Sequence, residues 1–170
     1  MHLLSTISIL GAIGLIAFAQ PRSLKVTSSA FQKNGNIPTK YTCEGEQVNP
    51  PLSITGIPPG AKSLAIILHD PDAPMDGGFT HWVVWNIDPS TKDIPEGFKG
   101  AEQGLNGAKQ AGYIGMCPPS GTHHYHFMVY ALDTKLDLSK QTDKTELEKS
   151  MKGHILAKGD LVGLYKKIKQ

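Results

Sequence analysis

The chain has 170 residues, 39% of them hydrophobic and 19% charged, which is enough for one domain and too little for two comfortable ones. With 17 Lys and Arg against 15 Asp and Glu the net charge is +2, and no basic cluster interleaved with aromatics occurs, so a nucleic-acid interface is not expected. The 18 glycines and 12 prolines imply many turns and a mainly β fold.

From the N-terminus, Leu3–Ala19 is an apolar run ending in Ala17-Phe18-Ala19, the pattern of a cleaved export signal. No Lys or Arg precedes it, and an uncleaved anchor is the alternative. The expectation is a signal peptide over residues 1–19, a single domain over 20–170, and an exported (periplasmic or secreted) product. Cys43 and Cys117 are the two cysteines. In an exported protein they permit one disulfide, with two separate buried thiols as the other option.

Short strands separated by turn-formers follow. Leu24–Ser28 alternates; Asn49-Pro50-Pro51 and Ile57-Pro58-Pro59-Gly60 bracket Leu52–Ile54. Ser63–Leu68 is a continuous apolar run that reads as a buried central strand. Trp82–Ile87 and Tyr125–Leu132 are β-branched and aromatic. Gly97–Gly115 reads as a long loop wrapping towards a pocket. One helix is expected, opened by Asp143 or Thr142 as N-cap, with Leu147, Met151 and Ile155 as its buried stripe and Gly159 at its C-cap. Asp160–Ile168 then reads as the last strand.

Chemistry concentrates in two segments. His69-Asp70-Pro71-Asp72-Ala73-Pro74 follows the central strand and precedes His81-Trp82. Cys117-Pro118-Pro119-Ser120-Gly121-Thr122 leads into His123-His124-Tyr125-His126. Asp70 and Asp72, two apart on an extended segment, would point to one side. Alternation puts His123 and Tyr125 on one face and His124 and His126 on the other. Prolines and glycines beside imidazoles and carboxylates make a small, fixed polar pocket suited to a charged ligand.

Taken together, Asp70-Pro71-Asp72-Ala73-Pro74, His81-Trp82 and the string from Gly112 to Phe127 (Gly-Tyr-Ile-Gly-x-Cys-Pro-Pro-Ser-Gly-x-His-x-Tyr-x-Phe) resemble the phosphatidylethanolamine-binding protein family, also called Raf kinase inhibitor proteins, and its bacterial branch in particular. The resemblance runs through most of the chain after the N-terminal segment. It implies a β-sandwich with a large central antiparallel sheet and one or two short helices. It also implies a pocket for a small anion or a phospholipid head group, formed by Asp70, Asp72, His81, Pro118 and His123 with Tyr125 nearby. Two positions depart from the family's habit: His124 stands where many members carry arginine, and Met116 where many carry proline.

On this reading His81 and His123 donate hydrogen bonds to the anion, and the carboxylates orient the imidazoles. If an imidazolium contributes, affinity falls as pH rises through about 6.5. No Ser or Cys nucleophile stands beside a base with an orienting acid, so a non-catalytic binding or inhibitor module is expected, without cofactor or metal. The alternatives are a phosphoester hydrolase using His81 and Asp70, or a metal site drawn from His69, His81, His123 and a carboxylate. A protein target (kinase or protease) and a homodimer are the partner classes carried with the resemblance.

Overall fold

The computed structural model describes residues 22–168; the expected export signal lies outside them. These residues form nine strands and one α-helix: β1 (Arg22–Ser23), β2 (Lys25–Thr27), β3 (Leu52–Thr55), β4 (Ser63–Asp70), β5 (Phe79–Ile87), β6 (Asp93–Ile94), β7 (Glu102–Gln103), β8 (His123–Leu132), α1 (Lys144–Met151) and β9 (Ile155–Tyr165). They build a six-stranded sheet in the order β1-β9-β8-β4-β5-β7 and a three-stranded sheet in the order β2-β3-β6. Every pairing between two of these strands is antiparallel except that of β1 with β9.

The unbroken apolar character of β4 has a direct cause: both of its faces are covered. Leu64, Ile66 and Leu68 enter the core between the two sheets, where they join Leu52, Ile54, Trp82, Val84 and Phe127. Ala65 and Ile67 point the other way, into a second core with Val83, Trp85, Leu132, Leu147 and Met151 beneath α1. β8 is covered more fully on one face than on the other. From His123 to Ala131 its odd-numbered residues are all buried, while His124 is exposed and His126, Met128 and Tyr130 are half-buried.

The helix begins as expected, with the Asp143 side chain accepting a hydrogen bond from the Glu146 backbone N–H. It ends earlier than its apolar stripe suggests. Lys152 leaves the helical conformation, so Ile155 opens β9 instead of closing α1. Gly159 is not a cap. It lies within β9, where a Cβ would come within 2.5 Å of the Leu24 carbonyl oxygen, so the glycine lets two backbones approach. The last strand therefore runs from Ile155 to Tyr165 instead of from Asp160 to Ile168.

Cys43 and Cys117 form a disulfide with Cα atoms 5.4 Å apart. It ties the turn after Tyr41 to the segment that leads into β8. The backbone reinforces the same junction: Cys43 N–H donates to the Met116 carbonyl at 3.1 Å.

Candidate functional site

β4 ends where β5 and β8 begin, so the last residue of the first and the early residues of the other two share one end of the sheet. Asp70 closes β4, Phe79 and His81 open β5, and His123 and Tyr125 open β8. All but the half-buried Phe79 are buried: Asp70 is 3% exposed, His81 4%, His123 6% and Tyr125 0%.

His81 reaches this place through an irregularity. Leu68 pairs with Trp82 and His69 with Thr80, so the register skips His81 and a bulge forms there. In a regular strand His81 and Trp82 would face opposite sides. The extra residue turns His81 onto the side of Tyr125, at 5.4 Å between ring centroids and edge-on, with the Phe79 ring 4.8 Å away on the same terms. Its Nδ1 then sits 3.0 Å from the Ile114 carbonyl oxygen. A carbonyl only accepts, so Nδ1 carries the proton. Burial is the main influence on this imidazole and lowers its pKa to about 4, against the smaller opposing pull of the Ile114 carbonyl. His81 is therefore neutral at physiological pH. It cannot be the imidazolium that the sequence reading allowed.

Asp70 is the hub. One carboxylate oxygen accepts the Asp72 backbone N–H at 2.9 Å, and the other lies 2.8 Å from His123 Nδ1. The pair fixes the His123 ring and aims its Nε2 away from the carboxylate. That ring stacks on Tyr125 at 6.4 Å and 22°. The Tyr125 hydroxyl is buried beside the Asp70 carboxylate. Burial, with the Asp70 charge second, holds it un-ionised far above its ordinary range.

Asp72 is less buried than Asp70, though its charge still acts on His123 and Tyr125. β4 has ended, and Asp72 stands exposed in the following turn. It accepts the His124 backbone N–H at 2.8 Å and lies 2.7 Å from His124 Nδ1. That double contact lowers its pKa and ties the Pro-rich turn to the start of β8. Pro118 is buried within the span Cys117–Thr122, which makes no backbone hydrogen bond among the described residues and is anchored at its start by the disulfide. Gly115 sits between that anchor and Ile114; a Cβ there would come within 2.7 Å of Thr42 backbone. His126, on the far face of β8, pairs with Asp160 at 2.9 Å. Among the described residues no group of three His, Cys, Asp or Glu side chains is arranged to hold a metal ion.

The partner role of Ile114 escaped the sequence reading, because a backbone carbonyl leaves no mark in residue type. The bulge that re-aims His81 escaped it for the same reason.

A two-sheet β-sandwich with a buried Asp–His pair at the end of its central strands defines the class. The sequence profile of the phosphatidylethanolamine-binding protein family matches residues 27–166, and the chain belongs to that family. Among its relatives, a UPF0098 protein of Pyrococcus horikoshii is 52% identical over 176 residues, covering 96% of this chain and 87% of the relative. A UPF0098 protein of Methanothermobacter thermautotrophicus is 44% identical, covering 85% and 99%. Two solved structures share the fold. A phosphatidylethanolamine-binding protein homologue of Chlamydia trachomatis superposes with a TM-score of 0.83 at 42% identity over 86% of this chain and 99% of its own. YbcL of Escherichia coli, described as a member of the mammalian family, gives 0.80 at 31% identity, covering 85% and 99%.

Proposed function

We propose that the protein is a non-catalytic binding module for small phosphate-bearing anions. The observation that carries this is the buried His123–Asp70 pair beside neutral His81. When His123 is protonated, Asp70 compensates the charge on Nδ1 and leaves the Nε2–H to donate to an anion. Both cysteines are spent in the disulfide, and the side-chain partner of His123 is the Asp70 carboxylate, an arrangement that holds an imidazole in place. Export through the Leu3–Ala19 segment belongs to the same proposal. Protein targets such as a kinase or protease, and a homodimer, are secondary to the anion.

Affinity is bounded by ligand size. Phosphate has five heavy atoms, and a ceiling of about 1.5 kcal/mol per atom allows micromolar binding at best. Thermal-shift and calorimetric titrations with phosphate, phosphoethanolamine and acetate test the reading, with His123→Ala and His81→Ala as controls. Binding that both substitutions weaken supports it. Binding indifferent to both, or no binding by any of the three, rejects it.

A further inference from the structure

A second concavity lies apart from the end of the sheet where Asp70, His81 and His123 meet. It is a groove of about 880 Å³, lined by the continuous segment Ser23–Ser28, by Met128 and Tyr130 of β8, and by Lys158–Leu161 of β9. Sites for small molecules span about 300–1,000 Å³. Gly159 shapes it: with no Cβ there, the Leu24 N–H reaches the Lys158 carbonyl at 2.8 Å and β2 packs beside β9. The apolar lining joins the margins of both cores. Val26, Phe31 and Leu161 come from the core between the sheets, and half-buried Met128 and Tyr130 from the one beneath α1. The charged lining is Lys25, Lys33 and Lys158, all exposed, and among the described residues none of the three forms an ion pair. The groove's one carboxylate, Asp160, lies 2.9 Å from His126 Nδ1.

We infer that this groove binds single-chain amphiphilic anions of the long-chain carboxylate class, with the chain on the apolar lining and the head group among the three lysines. Methylenes leaving water supply most of the affinity, and the unpaired ammonium groups decide the sign of the head group. Other occupants match the lining less well. A second copy presenting the same face would set its lysines against these. The apolar segment Leu3–Ala19 carries no Asp or Glu to meet them. None of Asp70, His81, Pro118, His123 or Tyr125 lines the groove, so this inference stands independently of the phosphate reading.

The test is calorimetry on the whole protein at pH 7.0 with octanoate, decanoate and dodecanoate, each below its micelle concentration, and with dodecyltrimethylammonium as the cation of matched chain. Affinity should rise up to about fourfold for each methylene added, the factor for burying one CH2, and fall as salt is added. The cation should bind at least about tenfold more weakly than dodecanoate. Lys25→Glu with Lys158→Glu, both exposed positions, should cost dodecanoate about tenfold and leave thermal unfolding unchanged. Methyl NMR locates the ligand without any variant: dodecanoate should shift the Met128 signal and leave that of Met75, which is 53% exposed elsewhere on the surface. Equal binding of the cation, a Met75 shift in place of the Met128 shift, or no binding of dodecanoate overturns the inference. So does displacement of dodecanoate by phosphate or its loss in His123→Ala, since either would put the chain in the other site. The phosphate titrations of the wild type are read separately and stand or fall without it.

Discussion

His81 and Ile114 hold each other twice: the imidazole donates to the Ile114 carbonyl at 3.0 Å, and Ile114 N–H donates to the His81 carbonyl at 2.9 Å. The contact joins the bulge in β5 to the segment after β7, the strand that interrupts what the sequence suggests is one long loop, and through Met116 and Cys117 to the disulfide. A side chain of the site and the loop that frames it are thus one mechanical unit.

Acid should weaken this unit in a defined window. The folded pKa of His81, about 4, lies below its ordinary 6.5, so between those values the unfolded chain binds a proton that the native one does not. The stability His81 contributes is present above pH 6.5 and is lost as pH falls through 4, to a total of about 3 kcal/mol. Urea unfolding of wild type and His81→Phe at pH 7.0 and 4.5 should show a smaller acid loss in the variant; parallel losses would reject the account.

Asp70→Asn should weaken the site by removing a charge. One oxygen can still accept the Asp72 N–H, but the NH2 group then faces His123 Nδ1, which can accept from it only as the neutral Nε2–H tautomer, so the His123 imidazolium loses its counter-charge. The expected cost is about 1–3 kcal/mol in stability, with weakened phosphate binding as the accompanying loss. Thermal unfolding and phosphate titration of the variant measure both.

Reduction of Cys43–Cys117 should be felt across the whole domain. The bridge spans a sequence separation of 74, for which chain entropy alone gives about 4 kcal/mol. A midpoint roughly 10 °C lower in excess dithiol, matched by Cys43→Ser with Cys117→Ser, is the expected result. An unchanged Tm in the double variant would mean that the Met116–Cys43 hydrogen bond and its surroundings hold the junction unaided.

Leu147→Ala offers the complementary control. Leu147 is fully buried in the second core, on the face of the sheet away from His123. Its truncation should cost about 2–5 kcal/mol and leave phosphate affinity unchanged, as read by urea unfolding and calorimetry. A parallel loss of affinity would show that the two faces of the sheet are coupled.

Much of this arrangement is legible in residue type and spacing. The apolar run over Ser63–Leu68 announces a strand buried at the centre of the sheet, Trp82–Ile87 announces a second strand, and alternation assigns His123 and Tyr125 to one side of β8. Three features resist such reading, each because a rule stops applying at a boundary. Asp70 is buried and Asp72 exposed because β4 ends between them. Ile155 continues the helical stripe by spacing, but the backbone turns at Lys152 and makes it a strand residue. His81 joins the site only because the register skips a residue, and no residue type encodes that skip.

The strand order has a consequence for how the molecule is made. β1 has one partner in its sheet, and that partner is β9, the last of the described strands. On the ribosome β1 therefore waits, without its sheet partner, until Ile155–Tyr165 has emerged. β4, β5 and β8 can assemble earlier from the middle of the chain, bringing Asp70, His81 and His123 together before that edge of the sheet closes.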